Sequence, residues 1–154
     1  GNTLEWAAQE NRVSNAKMLI EGGCDVNNLN GEGMTALYTA CAEGNADIAR
    51  LLLDNNAEPD RTEDATPLII ASCYGKIECV KLLLEHGADV NTIDNEGRTA
   101  LFYAVVYRQD EVEKLLSDNG ASYDICDKDG VSPGQLKDES VRERVYSELM
   151  GEEK

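Results

Sequence analysis

Basic residues are scarce in this chain: 14 Lys and Arg stand against 30 Asp and Glu, a formal net charge of −16. A phosphate-backbone ligand needs a basic footprint, so the imbalance excludes nucleic acid as a main partner. The acids are not gathered in a tail, because positions 1–60 and 61–130 each carry seven more acids than bases. Such a surface keeps a protein soluble and suits a partner with a basic surface. There is a single histidine, His86. It falls at the end of a helical pattern, where a polar or cationic group complements the helix dipole. A Ser-His-Asp or Cys-His catalytic site would have to be built on this one residue, and no catalytic site is expected.

Long apolar runs are missing too. No segment approaches the roughly 18 consecutive apolar residues of a membrane helix. The five cysteines (24, 41, 73, 79 and 126) form no CxxC pair and have no nearby histidine. An odd count without an export signal reads as reduced thiols of an intracellular, cytoplasmic protein, with the nucleus also open. No phosphate-cradling glycine loop is present, and Gly22-Gly23 reads as a helix cap. Asp127-Lys128-Asp129-Gly130 starts like a calcium loop but lacks the later acidic ligands. No cofactor or metal is expected. The opening Gly1-Asn2-Thr3 carries no initiator methionine, which leaves room for a longer natural protein.

What the chain does have is self-similarity. TALYTACAEG at 35–44, TPLIIASCYG at 66–75 and TALFYAVVYR at 99–108 are copies of one phrase. The step from Thr35 to Thr66 is 31 residues, and Thr66 to Thr99 is 33. Ser132, another 33 on, opens a degraded copy. Sixteen residues after each threonine comes a leucine run, at Leu51, Leu82 and Leu115.

Each copy reads as two helices. Threonine caps the first helix, and Pro67 or Pro133 sits at its first position, where a missing N–H costs nothing. Leu4, Leu37, Leu68 and Leu101 lie three residues before Ala7, Ala40, Ala71 and Ala104, so both share one face, and the small alanines allow close packing. Gly44 and Gly75 end the helix in a left-handed cap. Asn11 is an acceptable substitute, but Arg108 departs from the pattern and leaves that turn's geometry open. The second helix ends at Gly23, Asn56, Gly87 and Gly120, all tolerant of positive φ. Aligned on these marks, Cys24 stands where Ala57, Ala88 and Ala121 stand, Cys41 matches Ala8, and Cys79 matches Ile48 and Val112. These three cysteines are therefore expected to be small apolar fillers.

A period near 33 carrying T-P-L-x-x-A is the mark of ankyrin repeats, and the chain resembles that family over nearly its whole length. The resemblance implies an all-α solenoid of helix-turn-helix units with short β-hairpin fingers between them and negligible strand. We expect a single domain over 1–150 with repeats at about 1–30, 31–61, 62–93, 94–126 and 127–150, and a tail at 151–154. The last unit loses its leucine to Gly134 and its alanine to Lys137, as suits a C-terminal cap. Val141, Val145 and Leu149 still give it an amphipathic helix. The connection between Ala57 and Thr66 is two residues short and lacks the usual glycine, so a truncated finger and a weak seam are expected there.

The resemblance also implies a function: a monomeric, non-catalytic scaffold that binds a protein partner on its concave helix and finger surface. A regulator or inhibitor of an enzyme, or a segment of a larger multidomain protein, are the alternatives. On the first helices the non-core positions Trp6, Ile70, Tyr74, Tyr103, Val106 and Tyr107 form an apolar and aromatic row, expected to be partly exposed along the groove. At the fingers, Leu29, Glu32, Met34, Glu63, Asp64, Asn95, Glu96 and Arg98 occupy loop positions that the fold does not dictate. They form the second set of expected partner contacts.

Overall fold

The computed structural model describes residues 3–151; residues 152–154 of the expected tail lie outside the described residues. Among these it holds nine α-helices, one short 3-10 helix and no strand. The first helices of successive units are α1 (Leu4–Gln9), α3 (Ala36–Glu43), α5 (Pro67–Cys73) and α7 (Ala100–Val106). Their partners are α2 (Val13–Glu21), α4 (Ala46–Asp54), α6 (Ile77–Glu85) and α8 (Asp110–Asp118). A 3-10 turn, Gln135–Lys137, replaces the next first helix and leads into α9 (Glu139–Leu149).

Side-chain caps set where the first helices begin. The hydroxyls of Thr3, Thr35, Thr66 and Thr99 each accept the amide three residues on, at 3.0–3.2 Å. That satisfies one of the donors a helix start leaves open. Left-handed residues set where they stop: Gly44 (φ 76°) and Gly75 (φ 68°), with Asn11 (φ 55°) and Arg108 (φ 56°) in the same role. The turn at Arg108 is thus kept despite its side chain.

Packing then builds two layers. Helix α1 lies on α3, α3 on α5 and α5 on α7, while the second helices stack behind them. Leu37, Leu68, Ala40, Ala71 and Ala104 are fully buried along this seam, as are Leu52, Leu83 and Leu116 from the second layer. Cys41 and Cys79 are buried fillers as expected, but Cys24 is exposed. Its counterpart Ala57 is buried in the finger that stacks on the one carrying Cys24; no described finger precedes Cys24 to cover it.

Polar side chains tie each unit to the next. Asn45 donates to the Ala8 carbonyl (2.6 Å), and Gln109 to the Cys73 carbonyl (3.1 Å). In the fingers, Asn27 accepts the Glu58 amide (2.7 Å) and donates to the Asn56 carbonyl, and Asn91 does the same with Ser122 and Gly120. Asn30, Asp94 and Asp127 each fold their finger by accepting two amides on one oxygen. Thr62 does the simpler version of this in the short finger, accepting the Asp64 amide and donating to the Ala65 carbonyl.

Candidate concave interaction surface

The first helices and the fingers form the inner face of the stack. On it, aromatic residues run from α3 to α9. The rings of Tyr103 and Tyr107 stack at 6.1 Å, and Tyr107 meets Tyr146 edge-on at 6.0 Å. Tyr103 also meets Phe102 edge-on at 5.6 Å, and its hydroxyl donates to Asp94 at 2.5 Å. Burial and this carboxylate together raise the Tyr103 hydroxyl well above the usual phenol range. Tyr74, the residue after α5, is 59 % exposed. Burial lifts the Cys73 thiol to about 12, with Asp94 adding to the effect, so it is an uncharged groove wall rather than a nucleophile.

The structure exposes the members of the expected row unevenly. Tyr74 is open, Tyr103 and Tyr107 are half-buried, and Trp6 and Ile70 pack partly against the core. The Arg12 guanidinium lies 6.0 Å over the Trp6 ring. Val106 is a correction: at 2 % exposed it belongs to the core, not to an exposed strip. The cause is α7's position, since α9 and the 3-10 turn pack against it where earlier first helices meet a further first helix. Val106 instead forms the floor of a cleft of about 1040 Å³ between the end of α7 and α9.

Sequence reading missed two ring positions. Tyr38 follows the core leucine directly, a position the row did not include, and Tyr146 lies on α9, outside the repeated phrase. Tyr38 is half-buried, and burial raises its hydroxyl, with Tyr74, Cys73, Asp64 and Glu32 all close enough to contribute. The aromatic character of Tyr146 at an outward helix position was the available signal.

At the fingers the expected contacts divide into two groups. Glu32, Glu63, Asn95 and Glu96 are exposed. The rest are already engaged in the fold. One oxygen of Asp64 accepts the Asn95 amide at 2.8 Å. Met34 sulfur lies 3.6 Å from the Thr62 hydroxyl oxygen, and Leu29 is half-buried. Arg98 bonds Asp127 at 3.1 Å, lies 5.2 Å over the Phe102 ring, and its side chain is only 14 % exposed. Asp127 is buried, with one oxygen on two amides and the other on Arg98, so the calcium-like start is a turn-former. His86 holds the Leu82 carbonyl at 2.9 Å and faces Asp54 at 3.4 Å, as an end-of-helix side chain.

Stacked helix pairs with a bonded finger between each pair define a repeat solenoid, the architecture whose long inner surface is its binding face. A family model described as ankyrin repeats in three copies matches residues 4–94 and 58–129, and the chain belongs to the ankyrin-repeat family. It is 37 % identical over 90 residues to Serine/threonine-protein kinase 12 of Arabidopsis thaliana, covering 57 % of this chain and 20 % of that protein. It is 35 % identical over 103 residues to Putative ankyrin repeat protein L371 of Acanthamoeba polyphaga mimivirus, covering 65 % and 14 %. It is 38 % identical over 93 residues to Transient receptor potential channel pyrexia of Drosophila melanogaster, covering 58 % and 10 %. The chain thus spans a fifth or less of each of these relatives. No described helix is long and apolar enough to cross a membrane.

Proposed function

We propose that residues 1–150 act as one non-catalytic, intracellular array that binds a protein partner on its inner face. The exposed Tyr74, continuous with half-buried Tyr38, Tyr103 and Tyr107, carries this reading. Aromatic side chains bring large area with few rotors, so they dominate interface energy once desolvated. Ile70 adds to the surface on α5, and Trp6 on α1 extends it toward the N-terminal side. Glu32, Glu63, Asn95 and Glu96 form its exposed finger rim, backed by Leu29, Met34, Asp64 and Arg98. A rigid stack loses little freedom on binding, which favours affinity. The acidic surface steers a partner with a basic surface, and that on-rate contribution falls with salt.

A second reading, a segment of a larger multidomain protein, is favoured by the relatives, whose lengths exceed the matched segment fivefold or more. The two are compatible: the array would supply the binding face and the rest of such a protein its other activities. As a regulator of an enzyme it would use the same face.

The test places a photoactivatable benzoylphenylalanine at Tyr74 or, as control, at Lys114 on the outer layer, and irradiates in cell extract. A discrete adduct at position 74 and none at 114 is expected. Truncation of Tyr74 or Tyr107 to alanine should weaken capture by about 1–3 kcal/mol with the fold intact. Adducts at 114 alone, or loss of binding only with Glu32→Ala and Glu96→Ala, would overturn the groove assignment.

A further inference from the structure

The cleft between the end of α7 and α9 is lined by groups of two kinds. Tyr107 and Tyr146 meet edge-on at 6.0 Å, with the buried Val106 as the floor. Tyr146 keeps 40 % of its surface exposed, so ring area is open to a ligand. With the rings come Arg108, Arg142 and Arg144. They are three of the chain's seven arginines, gathered in one cleft of a protein whose net charge is −16.

These arginines are not equally committed to the fold. Arg108 to Glu139 (3.7 Å) and Arg144 to Glu148 (3.9 Å) are long pairs between exposed side chains. Such pairs contribute little and exchange readily for a better partner. Arg142 differs, having no ion pair among the described residues. Its Nη1 donates to the Leu136 carbonyl at 3.3 Å, which anchors the guanidinium between α9 and the 3-10 turn. Its Nε is buried with no partner. A guanidinium carries more N–H donors than one carbonyl uses, and unmet donors are costly in a half-buried place. A carboxylate meets them best, since it takes a parallel pair of N–H bonds.

Charge and size narrow the ligand further. Glu143 and Glu148 also line the cleft, and the chain as a whole is acidic, so one carboxylate is accepted and a run of them is repelled. The tyrosine rings suit an apolar or aromatic group beside that carboxylate. At about 1040 Å³ the cleft stands at the upper end of small-ligand cavities, roughly 300–1,000 Å³. That is room for several residues of peptide rather than for one small acid. The last residue of a protein chain offers both groups at once, a main-chain carboxylate and a side chain on the same α-carbon.

We propose that this cleft is a receptor for the free C-terminus of a partner protein that ends in an apolar or aromatic residue. The terminal carboxylate would lie on Arg142 with Arg108 and Arg144 beside it, and the last side chain against Tyr107 and Tyr146. This site goes beyond the inner-face reading, because it needs no contact with Tyr74, and the two can fail separately.

The test uses rhodamine-labelled hexapeptides of glycine and serine ending in phenylalanine, leucine, isoleucine or valine, each made as free acid and as C-terminal amide. Fluorescence polarisation is measured at about 0.15 M salt on the whole chain and on Arg142→Gln, Arg142→Lys, Tyr146→Ala and Tyr74→Ala. Circular dichroism checks that each variant keeps its fold. At least one free acid should bind the parent chain, and its amide on the order of tenfold more weakly, since the charge-assisted pair is lost. Arg142→Gln should lose a similar factor. Arg142→Lys should recover part of it, keeping the charge without the planar fork. Tyr146→Ala should weaken binding about fivefold by removing ring contact, while Tyr74→Ala should leave it unchanged.

Equal binding of acid and amide, or of Arg142→Gln and the parent chain, would overturn the carboxylate assignment. Failure of every free acid to bind would overturn the site. Competition by N-acetylphenylalanine as strong as by the peptide would mean a small-acid cavity and overturn the peptide as occupant. A loss with Tyr74→Ala as large as with Tyr146→Ala would put the peptide on the inner face instead. If Arg142→Gln loses its fold, the acid–amide comparison and Tyr146→Ala still decide. Adduct formation at position 74 tests the inner face independently of all these outcomes.

Discussion

Ser72 is fully buried and its hydroxyl has no partner. The same position in the other units holds Ala8, Cys41 and Val105, none of which brings a strong polar group into the core. An unpaired buried hydroxyl is a net cost, so Ser72→Ala should stabilise the fold by about 1 kcal/mol. For a chain of this size that is a rise of about 2–4 °C in thermal midpoint. Arg108 offers a second test. Its left-handed backbone strains a side-chain-bearing residue, and its exposed pair with Glu139 (3.7 Å) contributes little. Arg108→Gly should gain up to about 1 kcal/mol, the relief of strain being partly offset by a freer unfolded chain. Arg108→Val should lose stability, because β-branched residues fit that conformation worst. Denaturant melts of the two variants should shift in opposite directions.

Among the elements, the short finger is where expectation and structure differ most usefully. It is two residues short, yet it is bonded on both sides. Toward the preceding finger, the Glu63 amide donates to the Gly33 carbonyl (3.1 Å) and Arg61 to the Asn27 carbonyl (2.6 Å). Toward the following finger the bonds come from side chains: Asp60 to the Asp89 amide (3.0 Å), Asp64 to the Asn95 amide, and the hydroxyls of Thr66 and Thr92. No backbone-to-backbone bond joins these two fingers among the described residues, whereas Lys128 to Glu96 joins the next pair. We expect the weak seam between the second and third fingers, where only side chains, Asp60 and Asp64 among them, make the joining bonds.

Asp60 stands where Asn27 and Asn91 make both an accepting and a donating bond. As a carboxylate it can only accept. Burial raises its pKa, and Asp89 nearby raises it further, while the bond from the Asp89 amide opposes the shift. A carboxyl raised in the folded state binds protons more tightly there than in the unfolded chain. Its contribution is fully present below the unfolded value near 3.8 and is lost as pH rises through the folded value. Asp60→Asn should therefore stabilise the protein at neutral pH, adding a donor toward the Gly87 carbonyl as the other two asparagines do. The gain should shrink on acidification below pH 4. Thermal melts at pH 7 and 3.5 check this; an equal or larger gain at the lower pH would refute it. Hydrogen exchange should show the units either side of this seam losing cooperativity first, and gaining it in the variant.

At the scale of the whole molecule, a net charge of −16 on a thin stack sets acids of neighbouring units against one another. Most ion pairs are exposed and offset little of this, the buried Arg98–Asp127 pair excepted. Screening length falls from about 30 Å at 0.01 M salt to about 8 Å at 0.15 M. The thermal midpoint should accordingly rise between those two salt concentrations, while the association rate with a cationic peptide falls. Opposite responses to one variable separate self-repulsion from steering, since screening weakens both interactions but only the first opposes folding.

The repeat architecture was legible because a stack repeats its local rules. Capping threonines, paired Leu and Ala positions and positive-φ residues act within a few residues of each other, so their spacing specified two helices per unit, while the finger was implied by the resemblance to ankyrin repeats. The open aromatic face was only partly legible. Val106 and Tyr107 are adjacent in the phrase, yet one is core and the other groove, because α9 covers the last turn of α7. Tyr38 and Tyr146 entered the surface by the same route, through what packs beside them. Likewise the fate of Asp64, Arg98 and Asp127 depends on partners about 30 residues away along the chain. Sequence by itself determines what each unit is, since those interactions are local. Which side chains remain free to meet a partner is decided by tertiary structure, because exposure depends on the neighbouring units and not on the residue.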